Sequence, residues 1–310
     1  YITSTFALGT LSLFSAGQPV RYLSGTQGGY TALGTQVSSS NVTLAIMERG
    51  DTLTPTGTAA GRRVYLPWGN TGVNINQLSA SGTTMLKRSI EWSLLPVSHW
   101  KCDEGSGSVV SDWIGGRTGT CSGPSWTTGK LAGALQYNGT TDYVSVADHG
   151  AFHVTSTMTI TGWVRGTAWP SDPDWACTIL RKGDVNPNNW ELCIGLGKVA
   201  FVLDDYDAYA IRGNTTLPLN TWCHAAATWD GSKVRLYLNG VLDNTPYTRA
   251  APIGTDTRNV YIGGRTGSTD IFPGRVDDVR FYNRCLTAAE IAALAKTSPT
   301  VMTWQEVSPP

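Results

Sequence analysis

Between residues 221 and 244 the chain reads TWCHAAATWDGSKVRLYLNGVLDN, and apolar positions alternate with polar ones. Val234, Leu236 and Leu238 fall on one side of an extended strand, Lys233 and Arg235 on the other. Asp230-Gly231 and Asn239-Gly240 supply the positive-φ residues that tight turns require. The segment predicts two successive hairpins of an antiparallel sheet. In MTITGWVRG, Met158, Ile160 and Gly162 point one way and Thr159, Thr161 and Trp163 the other. QYNGTTDYVSV reads as a strand, a tight Asn-Gly turn and a second strand carrying Tyr143, Val144 and Val146. From His99 onward turn signals recur every ~8–12 residues, the spacing of a β-sandwich. TAAEIAALA closes this stretch with a short helix whose Ile291 and Leu294 can lie on the sandwich.

The chain before residue 97 has a different rhythm. NVTLAIMERGD and RRVYLPWG read as buried strands between Gly and Pro clusters. SASGTTMLKRSIEWSLLP predicts a helix, with Ser79 or Ser81 as cap and Leu86, Ile90 and Leu94 on one stripe. Pro96 ends it, because its ring disfavours a helical residue before it. The expected organisation is a small α/β unit over 1–96, a β-sandwich over 97–296 and a tail over 297–310. In the tail TVMTWQEVSPP, Met302 and Trp304 alternate with Thr303 and Gln305, as in a strand able to pair with an open sheet edge.

Composition narrows the function. Lys plus Arg equals Asp plus Glu at 23 each, so no net field draws in a phosphate backbone or an anionic membrane, which argues against nucleic-acid binding. No run approaches the ~18 consecutive apolar residues of a membrane helix. The chain starts at Tyr1 without a signal-peptide pattern and reads as a processed or excised piece of something longer. Its six cysteines, Cys102, Cys121, Cys177, Cys193, Cys223 and Cys285, form no CxxC pair, which argues against zinc. Their even number points to disulfides and an oxidising compartment, with buried thiols as the alternative. Cys177 and Cys193 flank KGDVNPNNW and suit a cross-hairpin bridge; Cys102–Cys121 and Cys223–Cys285 are the remaining guesses among the possible pairings. Sequons at Asn41, Asn138 and Asn214 fit exposed loops of a secreted glycoprotein.

HWKCDEGSGSVVSDWIGG, GKLAGALQYNGTTDYVSV, MTITGWVRG, RNVYIGGR and GRVDDVRFYNRCLTAAEIAALA occur in that order. Together they resemble the laminin-G-like members of the concanavalin A-like lectin/glucanase superfamily, over residues 97 to about 295. The resemblance implies a mainly β fold, a jelly roll of two antiparallel sheets often bent so that one outer face is concave. Cys102, Cys121, Cys223 and Cys285 depart from the residues usual in that family, which supports the guessed pairs or reflects unrelated drift. More weakly, GRRVYLPWG followed by GTTMLKRSIEW resembles the closing portion of glutamine-amidotransferase-like, flavodoxin-like domains of large bacterial surface proteins. Acyl transfer there would need a Cys nucleophile and a His base, and the first 98 residues contain neither.

Glucanases of the superfamily carry carboxylates spaced Glu-x-Asp-x-x-Glu on one strand, and that spacing is absent. The adjacent acids of CDEGSG and RVDDVRFYN are expected to point to opposite sides of a strand. His99, His149, His153 and His224 show no metal-ligand spacing, and His224 reads as a packed histidine. The resemblance implies a possible calcium ion, with Asp112, Asp142, Asp277 and Asp278 as candidate ligands and Asp204, Asp205 and Asp207 as a second cluster. Sugar contacts are expected from aromatics on the loops GTAWPSDPDW, NPNNW and DDYDAY, namely Trp169, Trp175, Trp190, Tyr206 and Tyr209. Trp163 and Trp222 are assigned to the core. The leading expectation is an extracellular, non-catalytic surface or adhesion protein that binds carbohydrate or another surface ligand. A subunit that polymerises into a fibre or surface layer is the alternative, and a polysaccharide-cleaving enzyme the weakest reading.

Overall fold

The computed structural model describes residues 31–35, 42–47 and 63–65 as strands, and then residues 95–171, 176–183, 189–204, 211–265, 267 and 270–296. The chain divides into two compact units, Tyr1–Leu95 and Pro96–Pro310. In the first, β1 (Thr31–Thr35), β2 (Val42–Met47) and β3 (Arg63–Tyr65) form an antiparallel sheet in that order. The two expected strands are β2 and β3. A flavodoxin-like sheet is parallel, so the antiparallel pairing departs from what the resemblance implied. The helix expected after Ser79, the sequon at Asn41 and the tail strand lie outside the described residues.

The second unit is a two-layer sandwich. Its larger sheet has nine strands. Seven follow one path: β17 (Val241–Leu242), β16 (Lys233–Leu238), β15 (Cys223–Trp229), β10 (Met158–Gly166), β20 (Pro273–Tyr282), β8 (Gly133–Asn138) and β7 (Ser125–Thr128). Two more join from the sides: β18 (Tyr247–Thr248) pairs with β16, and β4 (Ser98–Trp100) pairs with β20. The smaller sheet runs β14 (Ile211–Arg212), β13 (Lys198–Leu203), β12 (Trp190–Gly195), β11 (Ala176–Lys182), β19 (Val260–Ile262), β9 (Tyr143–Val146), β6 (Gly119–Ser122) and β5 (Val109–Val110). Every pair is antiparallel. The opening segment folds as its pattern requires: Asp230-Gly231 turns β15 into β16, and Asn239-Gly240, both at positive φ, turns β16 into β17. The Asn138-Gly139 turn does something different, because it carries the chain from the larger sheet into the smaller one.

Alternation decides which residues fill the space between the sheets. Met158, Ile160 and Val164 of β10 point inward with Val276, Val279 and Phe281 of β20. Phe281 stacks on Trp190 of the opposite sheet, 4.8 Å between ring centroids, and meets Phe152 edge-on at 5.5 Å. Helix α1 (Ala288–Leu294) follows Thr287, whose hydroxyl accepts from the Glu290 N–H while the Glu290 carboxylate accepts from the Thr287 N–H. Its Ile291 and Leu294 pack against Ala226, Tyr237, Tyr282 and Leu286 on the outer side of the larger sheet.

All six cysteines are free thiols, which corrects the expected bridges. Cys177 belongs to the inner face of the smaller sheet, whereas Cys193 lies on the outer face with Ala200 and Val202. Period-two alternation separates them, so no cross-hairpin bridge can form. Cys223 begins β15, while Cys285 lies by Thr228 near that strand's other end. At ~3.3 Å per residue this is far beyond disulfide reach. Cys102 and Cys121 do pack against the same core, near enough for the charge of one to bear on the other, yet remain thiols.

Candidate functional site

The outer face of the larger sheet concentrates the chemistry. On β10 the outward residues are Thr159, Thr161, Trp163 and Arg165. Trp163 stands directly opposite His224 on β15 and Asp277 on β20. The Trp163 and His224 rings meet edge-on at 5.3 Å. Trp163 is therefore buried, as expected, but on the outer face of the sandwich and not in its core.

A bulge in β20 shapes this face. Between Thr161 and Trp163 the register slips, and Asp278 takes the left-handed backbone conformation, φ 52°. The bulge falls where the neighbour of β20 changes from β8, along Pro273–Val276, to β4, along Val279–Phe281. Its consequence corrects the expectation for RVDDVR: both acids serve the outer face. Asp278 Oδ1 lies 2.6 Å from His99 Nε2, and its Oδ2 lies 2.9 Å from an Arg280 terminal nitrogen. His99 stands opposite Arg280 across β4 and β20, which fixes the side to which the group points. Burial alone would raise the Asp278 carboxyl, but His99 and Arg280 outweigh it and hold the acid below the usual range. Burial lowers His99, against the pull of Asp278. A neutral imidazole donating Nε2–H to an ionised Asp278 fits both shifts.

Asp277 behaves in the opposite way. It has no solvent exposure, and its Oδ2 accepts the backbone N–H groups of Lys130 (2.7 Å) and Leu131 (2.8 Å). Burial pushes its carboxyl up to about 7; the two N–H groups pull it down, and the charges of Asp278 and Asp103 push it further up. Two adjacent aspartates thus titrate in opposite directions from the ordinary carboxylate range.

The row continues to the sheet margin. Lys101 follows β4 on the His99 side, and its ammonium sits 3.4 Å from the centre of the Trp113 ring. Trp113 donates its backbone N–H to the His99 carbonyl, and its side chain is 61% exposed, the most open tryptophan among the described residues. An open indole with a cation at its face offers a flat apolar surface next to a hydrogen-bond donor, a combination that suits a sugar ring. Sequence reasoning missed it. Its neighbour Asp112 drew attention as a loop acid, while the signal was Lys101, two residues after His99 and just past the end of β4.

Of the five expected aromatic contacts, Trp190 and Trp169 lie among the described residues. Trp190 is fully buried in the core. Trp169 is half-buried, donating Nε1–H to the Leu217 carbonyl and standing edge-on to Phe272 at 5.9 Å. Trp175, Tyr206 and Tyr209 lie outside the described residues, as do Asp205 and Asp207.

The four acids proposed for calcium are each engaged by protein donors. Asp112 accepts the N–H groups of His99, Ile114, Gly115 and Arg117. Asp142 accepts the Asn138 N–H at the turn between sheets. Asp277 and Asp278 are committed as above. Asp204 accepts the Gly254 N–H. Among the described residues no group of three or more His, Cys, Asp or Glu is arranged to hold a metal ion. The Asn138 and Asn214 sequons are exposed, and Asn138 Oδ1 accepts the N–H groups of Thr140 and Thr141. No described helix is long and apolar enough to cross a membrane.

Comparison with known proteins places this geometry in a family. No curated protein matches the chain. Among solved structures, domain 4 of AbnA, a GH43 extracellular arabinanase from Geobacillus stearothermophilus in complex with arabinotriose, is similar. Its TM-score is 0.53 at 19% identity, covering 65% of this chain and 98% of that one. The binding domain of Paraclostridial Mosquitocidal Protein 1 matches with a TM-score of 0.52 at 15% identity, covering 65% of this chain and 52% of that one. A Trypanosoma rangeli sialidase matches at 0.50 and 15% identity, over 81% of this chain and 42% of the enzyme. The chain thus spans about half or less of the latter two. At these identities the likeness is one of fold. A laminin-G-type family model matches residues 138–292, half of the 310 residues. The chain belongs to the concanavalin A-like lectin/glucanases superfamily.

Proposed function

We propose that residues 96–296 form an extracellular carbohydrate-recognition module that acts by binding, and that its contact surface is the margin of the larger sheet around Trp113. The observation that carries this reading is the exposed Trp113 indole under the Lys101 ammonium, at the margin of the sheet face that carries His99, Asp278 and Arg280. The ring supplies the stacking surface, and the Lys101 ammonium and Arg280 guanidinium supply donors for hydroxyl or carboxylate oxygens. Binding without catalysis is supported by the state of the two acids. Asp278 is tied to His99 and Arg280, and Asp277 is sealed from solvent beneath two backbone N–H groups, so neither faces a glycosidic bond. The similar arabinanase domain, crystallised in complex with arabinotriose, makes arabino-oligosaccharides a reasonable first probe.

Glycan-array screening followed by polysaccharide pull-down tests the reading. Trp113→Ala is expected to weaken capture of the best array ligand by at least ~10-fold, the scale of one lost aromatic contact, ~1.4 kcal/mol, while leaving thermal stability within a degree or two. Undiminished capture by that variant overturns the placement, and reducing-sugar release from a polysaccharide overturns the non-catalytic reading.

A further inference from the structure

Among the buried polar atoms without a hydrogen-bond partner, four lie close together on the outer face of the larger sheet: Thr161 Oγ1, Trp163 Nε1, His224 Nδ1 and Asp277 Oδ1. The residues that carry them are 1%, 4%, 1% and 0% exposed. They form one row. Trp163 sits between His224 and Asp277 on the flanking strands, and Thr161 is the next outward residue along β10. A buried polar group left unpaired costs ~1–3 kcal/mol, so four in one place call for an occupant: ordered water, or the polar groups of a ligand.

The set has a recognisable chemistry. The indole N–H only donates, the threonine hydroxyl does both, and the imidazole and carboxyl groups complete a mixture of donors and acceptors. Vicinal hydroxyls, each able to donate and accept, complement such a mixture, and the Trp163 ring offers an apolar surface to their C–H groups. Burial keeps the row weakly charged: it lowers His224 to about 4 and raises Asp277 to about 7.

One small element covers the Asp277 end. The turn 129–132, closed by the Gly129 N–H donating to the Ala132 carbonyl, is attached to the sheet by the two backbone N–H groups on Asp277 Oδ2. Its Lys130 ammonium lies 5.1 Å from the centre of the Trp163 ring. The attachment occupies the gap between β8 and β4, where β20 lacks a continuous strand neighbour.

We propose that the turn 129–132 is a movable cover over a closed polar pocket formed by Thr161, Trp163, His224 and Asp277, and that the pocket admits a hydroxyl-bearing ligand, a sugar or other polyol. The identity of the natural ligand rests on the carbohydrate reading above, but the pocket is tested without it. The experiment follows the indole N–H signal of Trp163 in ¹⁵N-labelled protein, assigned by its loss in Trp163→Phe. If that variant does not fold, assignment comes from cross-relaxation with the adjacent His224 ring. Glycerol is the minimal polyol probe and arabinotriose the oligosaccharide probe.

The expected result is a saturable shift of the Trp163 indole signal with glycerol, reached at a several-fold lower concentration in Lys130→Ala, whose cover is lighter. The same glycerol response is expected in Trp113→Ala, which separates this pocket from the surface contact. A Trp163 signal that exchanges only with water, unmoved by both probes in the wild type and in Lys130→Ala, would mean that the row holds ordered water, and the proposal falls.

Discussion

Asp277 and Asp278 are chemically identical neighbours that the fold drives apart. Asp277, raised to about 7, binds its proton more tightly folded than unfolded. Its contribution to stability is therefore complete below the ordinary carboxylate pKa of ~3.9 and is lost as pH rises through about 7. His224 works in the opposite sense: burial lowers it to about 4, so its contribution is present above ~6.5 and lost as pH falls. Comparing wild type with Asp277→Asn isolates the first effect. Urea midpoints are expected to show the wild type losing stability relative to the variant between pH 5 and pH 8, by an amount on the order of a few kcal/mol. A pH-independent difference would place the Asp277 carboxyl in the ordinary range. None of this was legible in RVDDVR. Alternation along a regular strand sends adjacent acids to opposite faces, and no residue in that run announces a left-handed Asp278. Likewise, the apolarity of Trp163 said that it would be buried but not on which side of the sheet.

At the scale of elements, more could be read. The turn pairs Asp230-Gly231 and Asn239-Gly240, and the alternation around them, fix their hairpins locally, because positive φ is needed at those positions and few residues tolerate it. The closing helix was legible for the same reason: Thr287 and Glu290 cap each other and Ile291 falls on the packed side. Thr287→Ala is expected to destabilise the unit by ~1 kcal/mol, and Ile291→Ala by ~2–4 kcal/mol, in urea unfolding. Equal, negligible effects would mean that the helix is not docked. Long-range pairing was less accessible. The Asn138-Gly139 turn looks like a hairpin in sequence, yet its two strands join different sheets, a choice made by partners more than a hundred residues away on β19 and β20. Which β-strand face a cysteine occupies depends on the same distant choices. The cross-hairpin reading of Cys177–Cys193 and the guess of Cys223–Cys285 failed there.

For the whole molecule, the sandwich binds its layers through an apolar interior without a covalent tie. Burial pushes the Cys177 thiol up to about 12 and Cys121 up to about 11, and it raises Cys102 and Cys193 well above the ordinary thiol range. Thiol titration with an aromatic disulfide reagent should therefore find slow reaction in the native protein and six thiols in denaturant. Finding four would mean that one pair is oxidised, with Cys102–Cys121 the pair to examine first because both pack against the same core; finding none would contradict the fold. The function reading depends on a different property of the assembled sandwich: the larger sheet leaves a polar, aromatic-edged outer face only partly covered by α1. The most direct test is a titration of ¹⁵N-labelled protein with the best array glycan, read at the tryptophan indole N–H signals. The account predicts that Trp113 shifts first and furthest, with neighbouring backbone signals of His99 and Lys101. A response centred on the 167–176 loop with Trp113 unmoved would contradict it.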